Sequence, residues 1–378
     1  MNIPIYRLPY SKDDIDFVTD HISKILETGY LTDGGPYVKE FETAWSKFTE
    51  CQYSIAVNSC TTALETILRC VGVSNRSVLV PTYTFYATPM SVINAGGSVI
   101  FGDISPKTLS LSLETVEKNV RDDTVAIIMV HVAGIISDEI IKIRKFCDKK
   151  NIILIEDAAC AHGAELNQVK AGTLGHVSAF SFHHSKVLTT GEGGMISTDD
   201  YDLNVETRII RAIGLNRSIN NWEVFGQGNN YKMSEITAAL GLLHVKNAEK
   251  ILQDRRDLAK FYDKNIEFNS NVSRFIMPPG SISSYYKYVI QVSHPELKDV
   301  IRARLENEFE IFLPPNIYDH ACHLQGFSSH PSVLNRDDDF SNSMYMIDHH
   351  VCLNMYNGIT DEERVYIVDS LNHVISTL

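Results

Sequence analysis

The chain has 378 residues, 44% of them apolar and 21% charged, with a formal net charge of −13. That length is ample for a large buried core and suggests more than one domain. A net acidic chain without a Lys/Arg-rich run argues against nucleic acid or an anionic membrane as partner.

The N-terminus "MNIPIYRLPYSKDD" lacks a basic-then-apolar leader pattern, and no apolar run reaches the length of a membrane span. The seven cysteines, at 51, 60, 70, 147, 160, 322 and 352, are odd in number and include no CxxC pair. Neither a disulfide framework nor a zinc knuckle is indicated, and the expected compartment is the cytoplasm.

The first predicted helix opens on a capping box, Ser11 with Asp14, and closes at Gly29. Ile15, Val18, Ile22, Ile25 and Leu26 supply its apolar face. From about residue 50, apolar runs read as strands: "SIAV", "SVLVP", "SVIFGDI", "VAIIMVHV", "IILIEDAA", "SAFSF" and "GMIST". Between them lie the helix candidates "TTALETILRCV", "TPMSVINAG", "LETVEKNV" and "DEIIKIRKFCDKK". Unalternated apolar strands between helices predict an α/β fold with a large, mostly parallel sheet.

Past about residue 245 the pattern changes. One long helix is predicted from Met233 to near Leu252, and "NSNVSRF" near 269 reads as a loop. Then "YYKYVIQV" and "HHVCLNMY" read as strands, "LKDVIRARLENEF" and "TDEERVYIVDSLNHVI" as helices, the last with Thr360 and Glu363 as a capping box. The expected division is a large α/β domain over 1–245 and a small α+β domain over 246–378.

Four segments follow predicted strands, where open parallel sheets bind ligands. In "VNSCTTALETIL", Ser59, Thr61 and Thr62 form either a plain helix cap or an anion site at a helix N-terminus. In "PTYTFYAT", Tyr83, Phe85 and Tyr86 either pack in the core or offer a face to a flat ring. In "IILIEDAACAHGA", Glu156 and Asp157 end an apolar strand, where the acids either sit at a helix N-terminus or are buried carboxylates that require a partner. In "SAFSFHHSKVLTTGEGG", Ser181 precedes Lys186, which is either a surface lysine or a pocket amine of lowered pKa able to form a Schiff base. A phosphate cradle, a ring stacker, a buried acid and a Schiff-base lysine together are what pyridoxal phosphate needs.

The same segments, with "VHVAG" and "GNNYKMSEITAALG", resemble the sugar aminotransferases of the DegT/DnrJ/EryC1/StrS family, of the fold-type I pyridoxal phosphate group. The resemblance covers nearly the whole chain. It implies that Lys186 holds the cofactor, Asp157 pairs with the pyridine nitrogen and Phe85 stacks on the ring. It implies phosphate contacts from Ser59, Cys60, Thr61 and Ser181. Asn230 is implied to reach the phosphate of a neighbouring copy, making a homodimer with shared sites. L-glutamate is the implied donor and a nucleotide-linked keto sugar the acceptor.

The chain departs from the family at Cys160, where Gln or His is frequent near the cofactor ring, and at Lys232, where Arg is commoner. The family's dehydratase branch carries His for the lysine, whereas "TTGEGG" aligns Lys186 into that position. His183 is a candidate substrate-side residue and His184 a packing or surface one. His320 and His323 have a metal-compatible spacing, yet "YDHACHLQGF" resembles the family's substrate-proximal motif instead. No metal is expected. "TTGEGG" is closer to the 4-aminotransferases than to the "GDGG" loops of 3-aminotransferases. A 3-keto sugar or a keto-inositol acceptor, and a non-catalytic sensor on the same fold, are the competing readings.

Overall fold

The computed structural model describes residues 1–32, 35–216, 224 and 226–378. Its central sheet has seven strands among the described residues: β1 (Tyr53–Val57), β2 (Ser77–Pro81), β3 (Ser98–Gly102), β4 (Thr124–Val130), β5 (Ile153–Asp157), β6 (Val177–Ser181) and β7 (Gly194–Thr198). They lie in the order β1-β7-β6-β5-β4-β2-β3. All run parallel except β7, which is antiparallel to both β1 and β6.

Twelve helices are present among the described residues: α1 (Lys12–Thr28), α2 (Tyr37–Thr49), α3 (Cys60–Val71), α4 (Ala87–Asn94), α5 (Leu113–Asn119), α6 (Ile140–Lys150), α7 (Tyr201–Arg211), α8 (Glu235–Lys246), α9 (Ala248–Asn265), α10 (Glu296–Phe309), α11 (Ser341–Asp348) and α12 (Asp361–Ile375). Successive strand residues face opposite sides, so the sheet feeds two cores. Ile55, Val57 and Ile128 pack with Leu64 and Ile67 of α3 on one face. Ala56, Ile127 and Met129 pack with Phe41 and Trp45 of α2 and Ile143 of α6 on the other. Covered on both faces, these strands need no polar alternation, which is why they read as continuous apolar runs.

A second, antiparallel sheet has the order β8 (Val272–Arg274), β9 (Tyr288–Val292) and β10 (His350–Leu353). Its core joins Ile290 and Val351 to Leu258 of α9, Leu305 of α10 and Leu371 of α12. Ile3, near the N-terminus, belongs to this core and bridges to Ile311. The chain then runs past the loop before Lys186, where the Tyr6 hydroxyl donates to the His184 carbonyl at 2.6 Å.

Both predicted capping boxes form, at Ser11/Asp14 and Thr360/Glu363, and Gly29 ends α1 in the left-handed conformation. Three expectations need correction. The helix predicted from Met233 to near Leu252 is two helices, because Asn247 leaves the helical conformation and ties its side-chain amide to Asp14. The "NSNVSRF" loop contains β8, whose Val272 is buried while Ser273 and Arg274 face outward, as on an edge strand. Of the apolar face of α1, only Ile25 is buried; Ile15 and Leu26 are 50% and 62% exposed in the single chain.

Candidate active site

All four predicted segments arrive at one edge of the central sheet. Val57 and Ser181 are both register partners of Gly194, which brings the turns after β1 and β6 against the start of β7. Ala179 and Val130 both pair with Asp157, so the acid lies between β4 and β6 at the same edge.

At the β1 end, Ser59 is the N-cap of α3 and its hydroxyl accepts the Thr62 N–H at 3.1 Å. The capping reading therefore holds, and it leaves the Cys60 and Thr61 amides at the mouth of the helix, where first-turn N–H groups lack helical acceptors. The glycine run presses against this turn. A Cβ on Gly194 would stand 2.4 Å from the Ser59 carbonyl carbon and oxygen and 2.7 Å from the Cys60 nitrogen. Ser181 closes the other side, buried, its hydroxyl accepting from the His183 N–H at 3.3 Å.

At the β2 end the three aromatics separate. Tyr83 is fully buried, whereas Phe85 is 50% exposed and lies against Tyr86 with centroids 4.1 Å apart. Phe85 thus keeps half of its surface exposed at the β2 end. The next turn, at the start of α4, supplies Thr88, whose hydroxyl donates to Asp157 Oδ2 at 2.7 Å. Asp157 Oδ1 accepts the Ala159 N–H at 3.2 Å. Burial raises the Asp157 pKa, and these two donors, with the Lys186 and His131 charges, work in the opposite direction. A cation brought to this carboxylate would offset its desolvation.

Glu156 points the other way and is a structural acid. It accepts N–H groups from Gly172, Leu174 and Gly175, and its Oε2 lies 2.8 Å from His131 Nε2 in full burial. The requirement that a buried carboxylate be paired is met twice, by separate partners.

Lys186 is partly buried, not a surface lysine. Its Nζ donates to Cys160 Sγ at 3.2 Å and sits 4.6 Å from the centre of the Tyr286 ring. The expectation of a lowered pKa is reversed: burial opposes the ammonium, but the Cys160 sulfur and the Tyr286 phenol favour it, and the net direction is upward. The sequence shows the lysine but not this sulfur partner. His162 is buried beside the pocket among Trp45, Phe180 and Phe182, and burial first, then the Lys186 charge, lowers its pKa to about 3.

Other residues take their places around the edge. Asn230 is exposed; the neighbouring Tyr231 carbonyl accepts the Asn58 N–H at 2.9 Å, and Lys232 bridges to Val57, so this segment flanks the β1 turn. His183 Nδ1 lies 2.9 Å from Ser185 Oγ, and His184 is exposed. His323 Nδ1 lies 2.8 Å from Thr82 Oγ1, which carries "YDHACHLQGF" to the end of β2. Among the described residues no group of three or more His, Cys, Asp or Glu side chains could hold a metal ion. No helix among them is long and apolar enough to cross a membrane. Sequence reasoning missed Thr88, Tyr286 and the half-buried Tyr318, whose environment includes Cys160 and Asp157. Only Thr88 left a signal, three residues after Phe85 at a helix start.

An amine, a buried acid, an open aromatic face and helix-mouth amides against a bare glycine are the elements that a phosphorylated pyridine aldehyde requires. The DegT/DnrJ/EryC1/StrS aminotransferase family matches residues 12–372. The chain belongs to this family and is a pyridoxal phosphate-dependent sugar aminotransferase. It is 33% identical over 291 residues to the UDP-4-amino-4,6-dideoxy-N-acetyl-beta-L-altrosamine transaminase of Campylobacter jejuni, covering 75% of this chain and 76% of that one. It is 28% identical to the GDP-perosamine synthase of Escherichia coli O157:H7 over 99% of both chains. A solved aminotransferase of Helicobacter pylori, involved in the biosynthesis of pseudoaminic acid, superposes with a TM-score of 0.89 at 24% identity over 100% of both chains.

Proposed function

We propose that the chain moves an amino group from L-glutamate to C4 of a nucleotide-linked 4-keto-6-deoxyhexose, in the biosynthesis of an amino sugar for a surface polysaccharide. The convergence of Lys186 and Asp157 on one sheet edge, with the Phe85 face and the α3 amides beside them, carries the reading. The choice of acceptor is supported by similarity to the Campylobacter jejuni enzyme and, at 28% identity over 76% of this chain, to a dTDP-4-dehydro-2,3,6-trideoxy-D-glucose 4-aminotransferase of Saccharopolyspora spinosa.

Bound pyridoxal phosphate supplies the electron sink that lets an amine-bearing carbon lose its proton. In this reading Lys186 holds the cofactor and then carries that proton. Asp157, fixed by Thr88 and the Ala159 N–H, pairs with the ring nitrogen and keeps it charged. Phe85 covers one ring face. Ser59, Cys60, Thr61 and Ser181 bind the phosphate through amides and hydroxyls, and Cys160 lies beside the ring. Asn230 of a second copy completes the phosphate site, so the unit is a homodimer; its exposure, with that of Ile15, Leu26, Tyr30 and Leu31, supports this. Residues 1–245, apart from the N-terminal stretch at Ile3 that joins the second core, form the cofactor-binding unit, 246–378 the smaller unit, and the enzyme works in the cytoplasm.

Incubation with glutamate and a panel of nucleotide keto sugars tests the proposal. A product bearing nitrogen at C4, with 2-oxoglutarate released, is expected. Turnover only of 3-keto sugars or keto-inositols would overturn the acceptor assignment.

A further inference from the structure

The seven cysteines have different neighbours, and the sulfur of Cys160 meets a lysine amine. Cys70 Sγ faces the Glu206 carboxylate at 3.0 Å. Cys51 lies among the Ser46, Thr49 and Ser54 hydroxyls, and Cys322 Sγ meets the Thr84 carbonyl at 3.2 Å. Burial pushes the Cys147 and Cys322 thiols up to about 12 and the Cys352 thiol up to about 11, and it raises Cys60 as well. Such thiols stay protonated and react slowly with oxidants.

Cys160 differs in geometry. Its sulfur accepts from the Lys186 ammonium at 3.2 Å, and the contact lies beyond the ends of the paired strands β5 and β6. Cys160 keeps 8% of its surface exposed and Lys186 is half-buried, so the pair is not fully sealed from a small oxidant. The centre of the Tyr286 ring lies 4.6 Å from the same amine.

We propose that Cys160 and Lys186 form a peroxide-sensitive modification site, in which oxidation of the thiol joins Sγ to Nζ. Cys160 gives up its proton and the resulting thiolate sulfur attacks one oxygen of a hydroperoxide such as hydrogen peroxide, the proton joining the departing oxygen. The O–O bond breaks, sulfur is oxidised by two electrons to a sulfenic acid, and one water leaves. The neutral Lys186 amine then displaces the sulfenic hydroxyl; an S–N bond forms, the S–O bond breaks, and a second water carries away the amine proton. Starting from the ammonium, one further proton goes to solvent. The net change is thiol plus amine plus hydrogen peroxide to the S–N link and two waters. A linked Lys186 cannot hold an aldehyde, so the modified chain is blocked until a thiol reductant opens the bond. Once the cofactor occupies the amine, the reaction is prevented.

The full-length chain, with and without added pyridoxal phosphate, is treated with equimolar hydrogen peroxide, digested without reductant and analysed by mass spectrometry. The expected product joins the Cys160 and Lys186 peptides at a mass about 2 Da below their sum. Dithiothreitol should reverse it, and Cys160→Ser should abolish it. Recovery of Cys160 as a free thiol or a sulfinic acid, with Lys186 unlinked, would overturn the proposal. Suppression of the link by pyridoxal phosphate is expected. Equal linking with and without the cofactor would leave the modification site standing and instead overturn the assignment of Lys186 as the cofactor amine.

Discussion

The Thr88 hydroxyl donates to Asp157 Oδ2 at 2.7 Å, from the first turn of α4 to the last residue of β5. The bond aims a carboxylate whose burial alone would favour the neutral acid. A hydrogen bond to a charged group contributes about 1.5–3 kcal/mol, so Thr88→Val should weaken pyridoxal phosphate binding by at least about tenfold. Its loss also moves Asp157 further upward, and the acid limb of cofactor binding should shift to higher pH. Absorbance titrations at several pH values check both, and an unchanged affinity would remove Thr88 from the site.

Gly194 serves the cradle by lacking a Cβ. Gly194→Ala forces the Ser59–Cys60 backbone aside, because the new carbon would stand 2.4 Å from the Ser59 carbonyl. Overpacking of this kind costs about 1–3 kcal/mol, and here the displaced groups are the amides proposed to bind the phosphate. The variant should lose cofactor affinity well beyond its fall in thermal midpoint. A loss confined to the midpoint would make Gly194 a packing residue only.

Much of this arrangement was legible because the strands are buried on both faces and their ends carry the motif residues. The caps at Ser11 and Thr360 likewise fixed two helix starts. Other elements lack such marks. The N-cap of α2, Pro36, makes no side-chain cap bond, and the buried residues of α7 are the polar Asn204 and Thr207. The pairs Thr88–Asp157, His131–Glu156 and Cys160–Lys186 span 69, 25 and 26 residues. Such partners come from the fold, not from local pattern. The upward shift of Lys186 escaped the sequence for the same reason, since its cause is a sulfur on another strand end.

Three buried histidines predict the acid limit of stability. Burial lowers His162 to about 3 and His244 and His350 to about 4, from an ordinary 6.5. The unfolded chain therefore binds protons between those values that the folded chain refuses. Their contribution is full above the unfolded pKa and is lost as pH falls towards 4, and for His162 towards 3. Each adds a slope of up to about 1.4 kcal/mol per pH unit within that window. Thermal midpoints from pH 7 to pH 4 should fall more gently for His162→Phe, by about a third of this histidine component. An unaltered slope would contradict the assignment.

A shared site makes a complementation prediction. If Asn230 serves the neighbouring copy, Lys186→Ala and Asn230→Ala homodimers are both impaired. A mixed dimer places both defects in one site and leaves the other intact. Mixed and reassembled chains should regain about a quarter of the wild-type activity. No recovery, with mixed dimers present, would place Asn230 in its own chain's site.

The central claim is that Lys186 and Asp157 work on one bound cofactor. The most direct measurement is the absorbance spectrum of the full chain with pyridoxal phosphate, before and after L-glutamate, beside Lys186→Ala. The account predicts a visible band from lysine-bound cofactor that glutamate converts, and no such band in the variant. A chain that acquires no such band, or one whose band survives in Lys186→Ala, would contradict it.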